Sequence, residues 1–144
     1  MNNRPFSKDS EGKEWLIKKL KNIGFDHIVD TDVYAKTYHY DIEGYYKGKK
    51  WIFELKNRDL SSDCYSDVMM NRKQYRTIRW EVEADYKILF YFWNDHYTVI
   101  DLQKNIPESS ETIECSRTKR IGDHRVIKKD MVIWNNDAYK LFDY

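Results

Sequence analysis

The sequence is poor in the residues that punctuate or cross-link a chain. It has two prolines, Pro5 and Pro107, and five glycines among 144 residues, too few for a collagenous or low-complexity polypeptide. Its two cysteines, Cys64 and Cys115, lie far apart and form no C-x-x-C pair. That excludes a disulfide framework and offers no zinc-ligand spacing, so two free thiols in a reducing compartment are expected. No run of about 18 apolar residues is available to span a bilayer, and no membrane partner is expected. The opening MNNRPFSKDSEGKEW has no apolar stretch of the kind a secretory signal needs. The expected location is cytoplasmic.

An excess of charge is also missing. The net charge is +1, so bulk electrostatics announce no polyanionic partner, and only a local positive face would serve one. Three stretches concentrate basic residues: Lys18-Lys19-Leu20-Lys21, Arg72-Lys73-Gln74-Tyr75-Arg76 with Arg79, and Arg117 through Lys129. Each taken alone reads as a solvated face.

Packing material is abundant. Aromatics make up 16% of the chain, including 12 Tyr and 5 Trp, which is incompatible with a disordered polypeptide. The length suits one domain with a real core. We expect a single domain over 1–144, with a core at about 10–102 and a C-terminal extension at about 103–144. The NIPESSE loop around Pro107 separates the two.

A first helix is readable from Trp15, Leu16, Leu20 and Ile23 at helical spacing, with Ser10 or Asp9 to cap it and Gly24 to end it. The stretch HIVDTDVYAKTYHYDIEGYY is extended. Trp51-Ile52-Phe53-Glu54-Leu55 is a short apolar strand carrying one acid. A second helix is expected over about Ser66–Trp80, then strands over Tyr86–Trp93 and Tyr97–Leu102, and one or two strands or a short helix at the end. Helix, strands, helix, strands is the order of a mixed sheet flanked by helices, an α/β architecture.

The chemistry centres on Glu54. A carboxylate inside WIFEL, on a strand that should be buried, costs several kcal/mol unless it is paired or binds a metal. Strand periodicity places Lys56 on the same face as Glu54 and Leu55 on the other. A two-residue loop at Gly48-Lys49 sets Glu43 opposite Glu54 and Asp41 opposite Lys56. Any even-length loop keeps Asp41, Glu43, Glu54 and Lys56 on one side of the sheet, and a three-residue loop would break the arrangement. Clustered acids repel, and a divalent cation relieves the conflict. Hard oxygen donors suit Mg²⁺ or Mn²⁺, which share their shell with water and phosphate. Such an ion activates water for attack at phosphorus, and Lys56 is a cation placed to steady the developing charge.

Asp41, then Glu54-Leu55-Lys56 across a hairpin, preceded by an acid-bearing helix and followed by a second helix, resembles the PD-(D/E)xK nuclease superfamily. Restriction endonucleases and Holliday-junction resolvases are among its members. The resemblance implies a restriction-endonuclease-like core of helix, three strands, helix and strand over roughly Ser10 to Leu102. It implies Mg²⁺ or Mn²⁺ binding by Asp41 and Glu54 and a catalytic role for Lys56. It further implies an acid from the first helix, best matched by Glu14 with Glu11 second, and a polar residue in the second helix, matched by Gln74 and less well by Lys73. Tyr40 stands where the family pattern has Pro, and the chain after Leu102 has no counterpart there. Two other E-x-K or D-x-K triplets, Glu11-Gly12-Lys13 and Asp85-Tyr86-Lys87, lack the hairpin context.

The function expected is therefore a metal-dependent endonuclease acting on nucleic acid, with DNA favoured over RNA. The alternatives are a ribonuclease of the same fold and a catalytically silent nucleic-acid-binding module. Cutting both strands, or a four-way junction, would call for a homodimer that brings two sites to two phosphates. Nicking, or cutting single strands, would suit a monomer. His39 shares the face of Asp41 and reads first as a satisfied structural histidine and second as a substrate contact, and Arg58, just past the strand, is a candidate phosphate contact. Tyr38, Tyr40, Tyr45 and Tyr46 serve base stacking or sheet packing equally well. The Arg117–Lys129 segment is the candidate for a substrate-gripping extension.

Overall fold

Spacing of small and apolar residues makes the first helix. Gly12, Leu16 and Leu20 recur every four residues and are buried along one side of α1 (Asp9–Ile23), the spacing that stacks side chains on one helical face. Gly12 is a close-approach position, since a Cβ there would meet the Phe6 ring at 3.1 Å. Gly24, with φ 116°, ends the helix in the left-handed conformation and returns its N–H to the carbonyls of Leu20 and Lys21, as expected. The start departs from expectation, because the capping position is Lys8, with no side-chain cap. Asp9 is already helical and accepts from Asn57 Nδ2 at 2.6 Å. Glu11 accepts instead from the Ser7 N–H at 3.2 Å.

The computed structural model describes residues 3–31, 39–63, 67–116 and 126–144. After α1 the chain forms β1 (Asp26–Asp30), β2 (Ile42–Tyr46), β3 (Lys49–Asn57), β4 (Val68–Asn71), α2 (Arg72–Trp80), β5 (Tyr86–Phe92) and β6 (Tyr97–Asp101). β7 (Ser109–Ser116), β8 (Val126–Trp134) and a 3₁₀ turn at Asn136–Ala138 complete it. No helix among the described residues is long and apolar enough to cross a membrane. Tyr38, Cys64, the side chain of Cys115 and positions 117–125 of the basic C-terminal stretch lie outside the described residues.

Five strands form the main sheet in the order β1-β2-β3-β5-β6. β3 and β5 run parallel and the other neighbours antiparallel. A parallel pair needs a crossover, which β4 and α2 supply. One face of the sheet is covered by α1, where Leu16 and Leu20 meet Ile42, Phe53 and Ile88. The opposite face presents Ile52, Leu89 and Ile100 to Tyr75 and Ile78 of α2. Burying each such Leu or Ile contributes about 1.5–3 kcal/mol. The expected order of helix, three strands, helix and strand is present as α1-β1-β2-β3-α2-β5, with β4 interposed.

Two local expectations are corrected. The segment expected as one helix from Ser66 begins as β4, and helix starts only at Arg72. Val68, Met69 and Met70 are all buried, which suits a strand paired along β8 better than a helix with a polar side. Asn71 then caps α2, its side chain accepting from the N–H groups of Lys73 and Gln74 at 3.0 and 3.2 Å. The second correction concerns the loop expected at NIPESSE, whose final residues already belong to β7. β4, β8 and β7 form a separate three-stranded sheet in that order. Val132 and Trp134 of β8 join the core beneath α2.

Candidate active site

The β2–β3 hairpin positions the acids, with a turn one residue earlier than expected. Tyr46 pairs with Lys49, so the two-residue loop is Lys47-Gly48, and both residues have positive φ, 52° and 76°. This is the type I′ geometry, which matches the strand twist, in place of the expected type II′. The pairing therefore shifts by two residues. Glu43 faces Ile52 rather than Glu54. A shift of two preserves the side of the sheet on which each residue lies, so the facial grouping survives. Glu43 turns away from Glu54, accepting from the Tyr40 hydroxyl at 2.7 Å and pairing with Lys50 at 3.6 Å.

Asp41 lies just before β2, with its N–H bonded to the Phe53 carbonyl at 2.9 Å. Its Oδ2 accepts from the Leu55 N–H at 2.9 Å, which holds the carboxylate against β3 beside Glu54. Glu54 is 4% exposed, and its Oε2 accepts from Nε2 of Gln74 on α2. Burial, then the hydrogen bond to Asp41 and the Asp41 charge, push the Glu54 carboxyl up to about 9, against the pull of Lys56 and the Leu55 N–H. Two carboxyl groups in contact inside a protein cannot both ionise cheaply. The pair thus stores a demand for positive charge.

These groups open on a cleft of about 590 Å³, lined by Asp41, Glu54, Lys56 and Gln74 together with His39, Asn71, Lys73 and Thr77. Four of the five expected site residues are therefore gathered in one place. The fifth, Glu14, is on the far side of Asp41. It is exposed on α1 and lines a second cleft of about 340 Å³, on which Asp41 opens but Glu54 does not. Among the described residues no three His, Cys, Asp or Glu side chains are grouped to cage a cation. The donor set is a carboxylate pair facing open space. That set fits an ion of the Mg²⁺ type, which keeps several waters and takes one or two carboxylates plus substrate phosphate.

Sequence reasoning missed Lys13. It belongs to the Glu11-Gly12-Lys13 triplet dismissed for lack of hairpin context, yet its Nζ lies 3.8 Å from Asp41 and 3.4 Å from Asp30. Its signal was position, because Lys13 falls on the same helical stripe as Leu16, Ile17 and Leu20 and so points at the sheet. The other dismissed triplet proves structural. Asp85 accepts from the Lys50 N–H at 2.8 Å. Lys87, 4% exposed, donates to the Arg79 carbonyl near the end of α2 at 2.7 Å, and burial lowers its pKa. A hydroxyl, imidazole and carboxylate also meet at Ser62, His96 and Asp95. There Ser62 Oγ and His96 Nδ1 both turn to Asp95, at 2.7 and 2.9 Å, and lie 3.4 Å from each other, an arrangement that ties down a loop outside the acid cleft.

The topology and the helix placement define a restriction-endonuclease-like α/β fold. Among solved structures, the chain is similar to Hjc, a Holliday junction resolvase from the archaeal hyperthermophile Archaeoglobus fulgidus. The TM-score is 0.56 at 12% identity, over 95% of this chain and 92% of that one. At this identity the likeness concerns the fold, and at that level it agrees with the PD-(D/E)xK resemblance. No protein-family model and no curated protein matches the sequence.

Proposed function

We propose that this chain is a metal-dependent nuclease that hydrolyses phosphodiester bonds, with DNA as its substrate and 1–144 as one nuclease domain. The observation that carries the reading is the buried Glu54 carboxyl in contact with Asp41 at the floor of an open cleft that also holds Lys56. A structural pair of acids would be sealed from solvent, whereas this one, met by Lys13 on the Asp41 side, opens on a cleft. This pair faces space wide enough for a phosphate and is bordered by Lys73 of α2.

Asp41 and Glu54 would hold Mg²⁺ or Mn²⁺, with Glu14, which lines the cleft on Asp41's other side together with Asp9 and Asp30, as the further acid. When bound, the ion would polarise the phosphate and lower the pKa of an attacking water. The protein's own residues do the remaining work. The Leu55 N–H and Lys13 orient Asp41, and Gln74 orients Glu54 from α2. Lys56 supplies a compact positive charge to the pentavalent phosphorus as negative charge builds on its oxygens. In this scheme Gln74 is a positioning residue, since it acts through Glu54. DNA is preferred over RNA because the structurally similar protein is a Holliday junction resolvase.

The test is incubation of the purified chain with labelled single-stranded DNA, duplex DNA, a branched junction and RNA, each with Mg²⁺, Mn²⁺ or EDTA. Cleavage of DNA that EDTA stops is the expected result. Cleavage confined to RNA would move the substrate class, and cleavage of none would overturn the reading.

A further inference from the structure

Beside the acid cleft lies a second one of about 690 Å³, which shares His39, Asn71, Lys73 and Thr77 with it. Its floor is α2. Lys73, Arg76, Thr77 and Trp80 are spaced i, i+3, i+4 and i+7 and so form one stripe along that helix. The stripe is solvent-facing, with Lys73 and Arg76 exposed and Trp80 73% exposed. The opposite wall is the Lys128–Lys129–Asp130 segment of β8.

The charge of this cleft is one-sided. Its lining carries five cations against two carboxylates, Glu81 and Asp130. Asp130 is already engaged by Arg72 at 2.9 Å and by the Thr112 hydroxyl at 2.7 Å. Lys73, Arg76, Lys128 and Lys129 form no ion pair among the described residues, so their charge is available to a polyanion. The groove then ends on an indole. The guanidinium of Arg79 lies 4.9 Å from the Trp80 ring centre, which covers one face and leaves the remainder of the ring to solvent. An exposed tryptophan at the end of a basic groove is costly to leave bare and well suited to stack on a flat partner.

We propose that this groove is a track for an unpaired nucleic-acid strand, which passes from the Asp41–Glu54 cleft over Lys73 and Arg76 and stacks a base on Trp80. Lys73 to Trp80 spans about 10 Å along the helix axis, the reach of a short run of nucleotides. Bases inside a duplex are covered on both faces by their neighbours, so an indole at this position selects a strand that has left the duplex. The preferred substrate is therefore branched or flapped, with the arm on the α2 side. The position of the arm relative to the cleaved bond rests on the nuclease reading, but the binding does not.

The experiment measures binding in EDTA by fluorescence anisotropy. The probes are a labelled blunt duplex, the same duplex with a single-stranded DNA arm, and one with an RNA arm. The wild-type chain should bind an armed duplex about tenfold tighter than the blunt one, and the better of the two arms assigns the track to DNA or RNA. Trp80→Ala should abolish that preference while leaving blunt-duplex affinity unchanged, and Trp80→Phe should retain most of it. Arg76→Ala should weaken the armed probes more than the blunt duplex and reduce their salt slope by roughly 0.7. Equal affinity of the wild type for blunt and armed duplexes, or an equal loss on all probes in Trp80→Ala, would overturn the track. Cleavage with Mn²⁺ is read on the same probes. Arm preference without any cleavage removes the nuclease reading and keeps the track, whereas cleavage without arm preference removes the track alone.

Discussion

The ammonium of Lys13 stands 3.8 Å from Oδ1 of Asp41, so a cation from α1 partly answers the acid pair from the side opposite Gln74. Its side chain is only 12% exposed and reaches Asp30 as well. This monovalent charge both supports Asp41 and competes with any divalent ion for it. Lys13→Met should therefore have opposite effects in two conditions. In EDTA the variant should melt several degrees lower, a loss of about 1–2 kcal/mol for partly exposed partners. With Mn²⁺ its gain in melting temperature should exceed that of the wild type, since the competing charge is gone. A variant no less stable in EDTA would show that Lys13 is an ordinary surface lysine.

Glu54 makes stability depend on pH. Its carboxyl rises from 4.5 in the unfolded chain to about 9 in the folded one. The folded state thus holds a proton that the unfolded state has released. Stability from this group is full below about pH 4.5 and is lost as pH rises toward 9, with a slope of at most about 1.4 kcal/mol per pH unit. Glu54→Gln keeps the shape and removes the titration. In EDTA at pH 8 the variant should melt higher than the wild type, and the two should converge near pH 4.5. Identical melting curves at pH 8 would contradict the crowding of Glu54 against Asp41.

Gln74 is the bond between α2 and the acid. Gln74→Ala leaves a buried carboxyl without its partner from α2, at a cost of about 1–3 kcal/mol. Through the loss of orientation, cleavage should slow about 10- to 100-fold. Because Gln74 acts through Glu54, metal affinity should fall as well, read as a weaker rise of melting temperature with Mn²⁺. A slower rate with unchanged metal affinity would place Gln74 on the substrate instead.

The fold was legible where pattern and packing agree. The leucine spacing of α1, the apolar run of β5 and the buried acid of β3 each carry a local signal that the tertiary structure respects. The grouping of Asp41 with Glu54 was legible through parity alone. The turn was misplaced by one residue because Gly48 was assigned to the first turn position, whereas Lys47 itself takes a positive φ ahead of it. β4 was hidden because Val68-Met69-Met70 suits a helix as well as a strand, and only pairing with β8, some 60 positions away in sequence, decides it. Lys13 was overlooked although its helical spacing points it at the sheet, because its partner Asp41 comes from another element and spacing within the helix does not name that partner.

The most direct measurement is the single-turnover cleavage rate of the wild type against Lys56→Ala, at equal Mn²⁺ and on the best DNA substrate. The Lys56 side chain forms no hydrogen bond or close ion pair among the described residues and acts on Glu54 through its charge alone, so its loss should change the melting temperature little. The wild type should show EDTA-sensitive cleavage and the variant a loss of about 100-fold or more, the scale expected when a charge stabilising the transition state is removed. Equal rates for the two proteins would contradict the role given to Lys56, because the cleavage would then arise from some other group or from a contaminant.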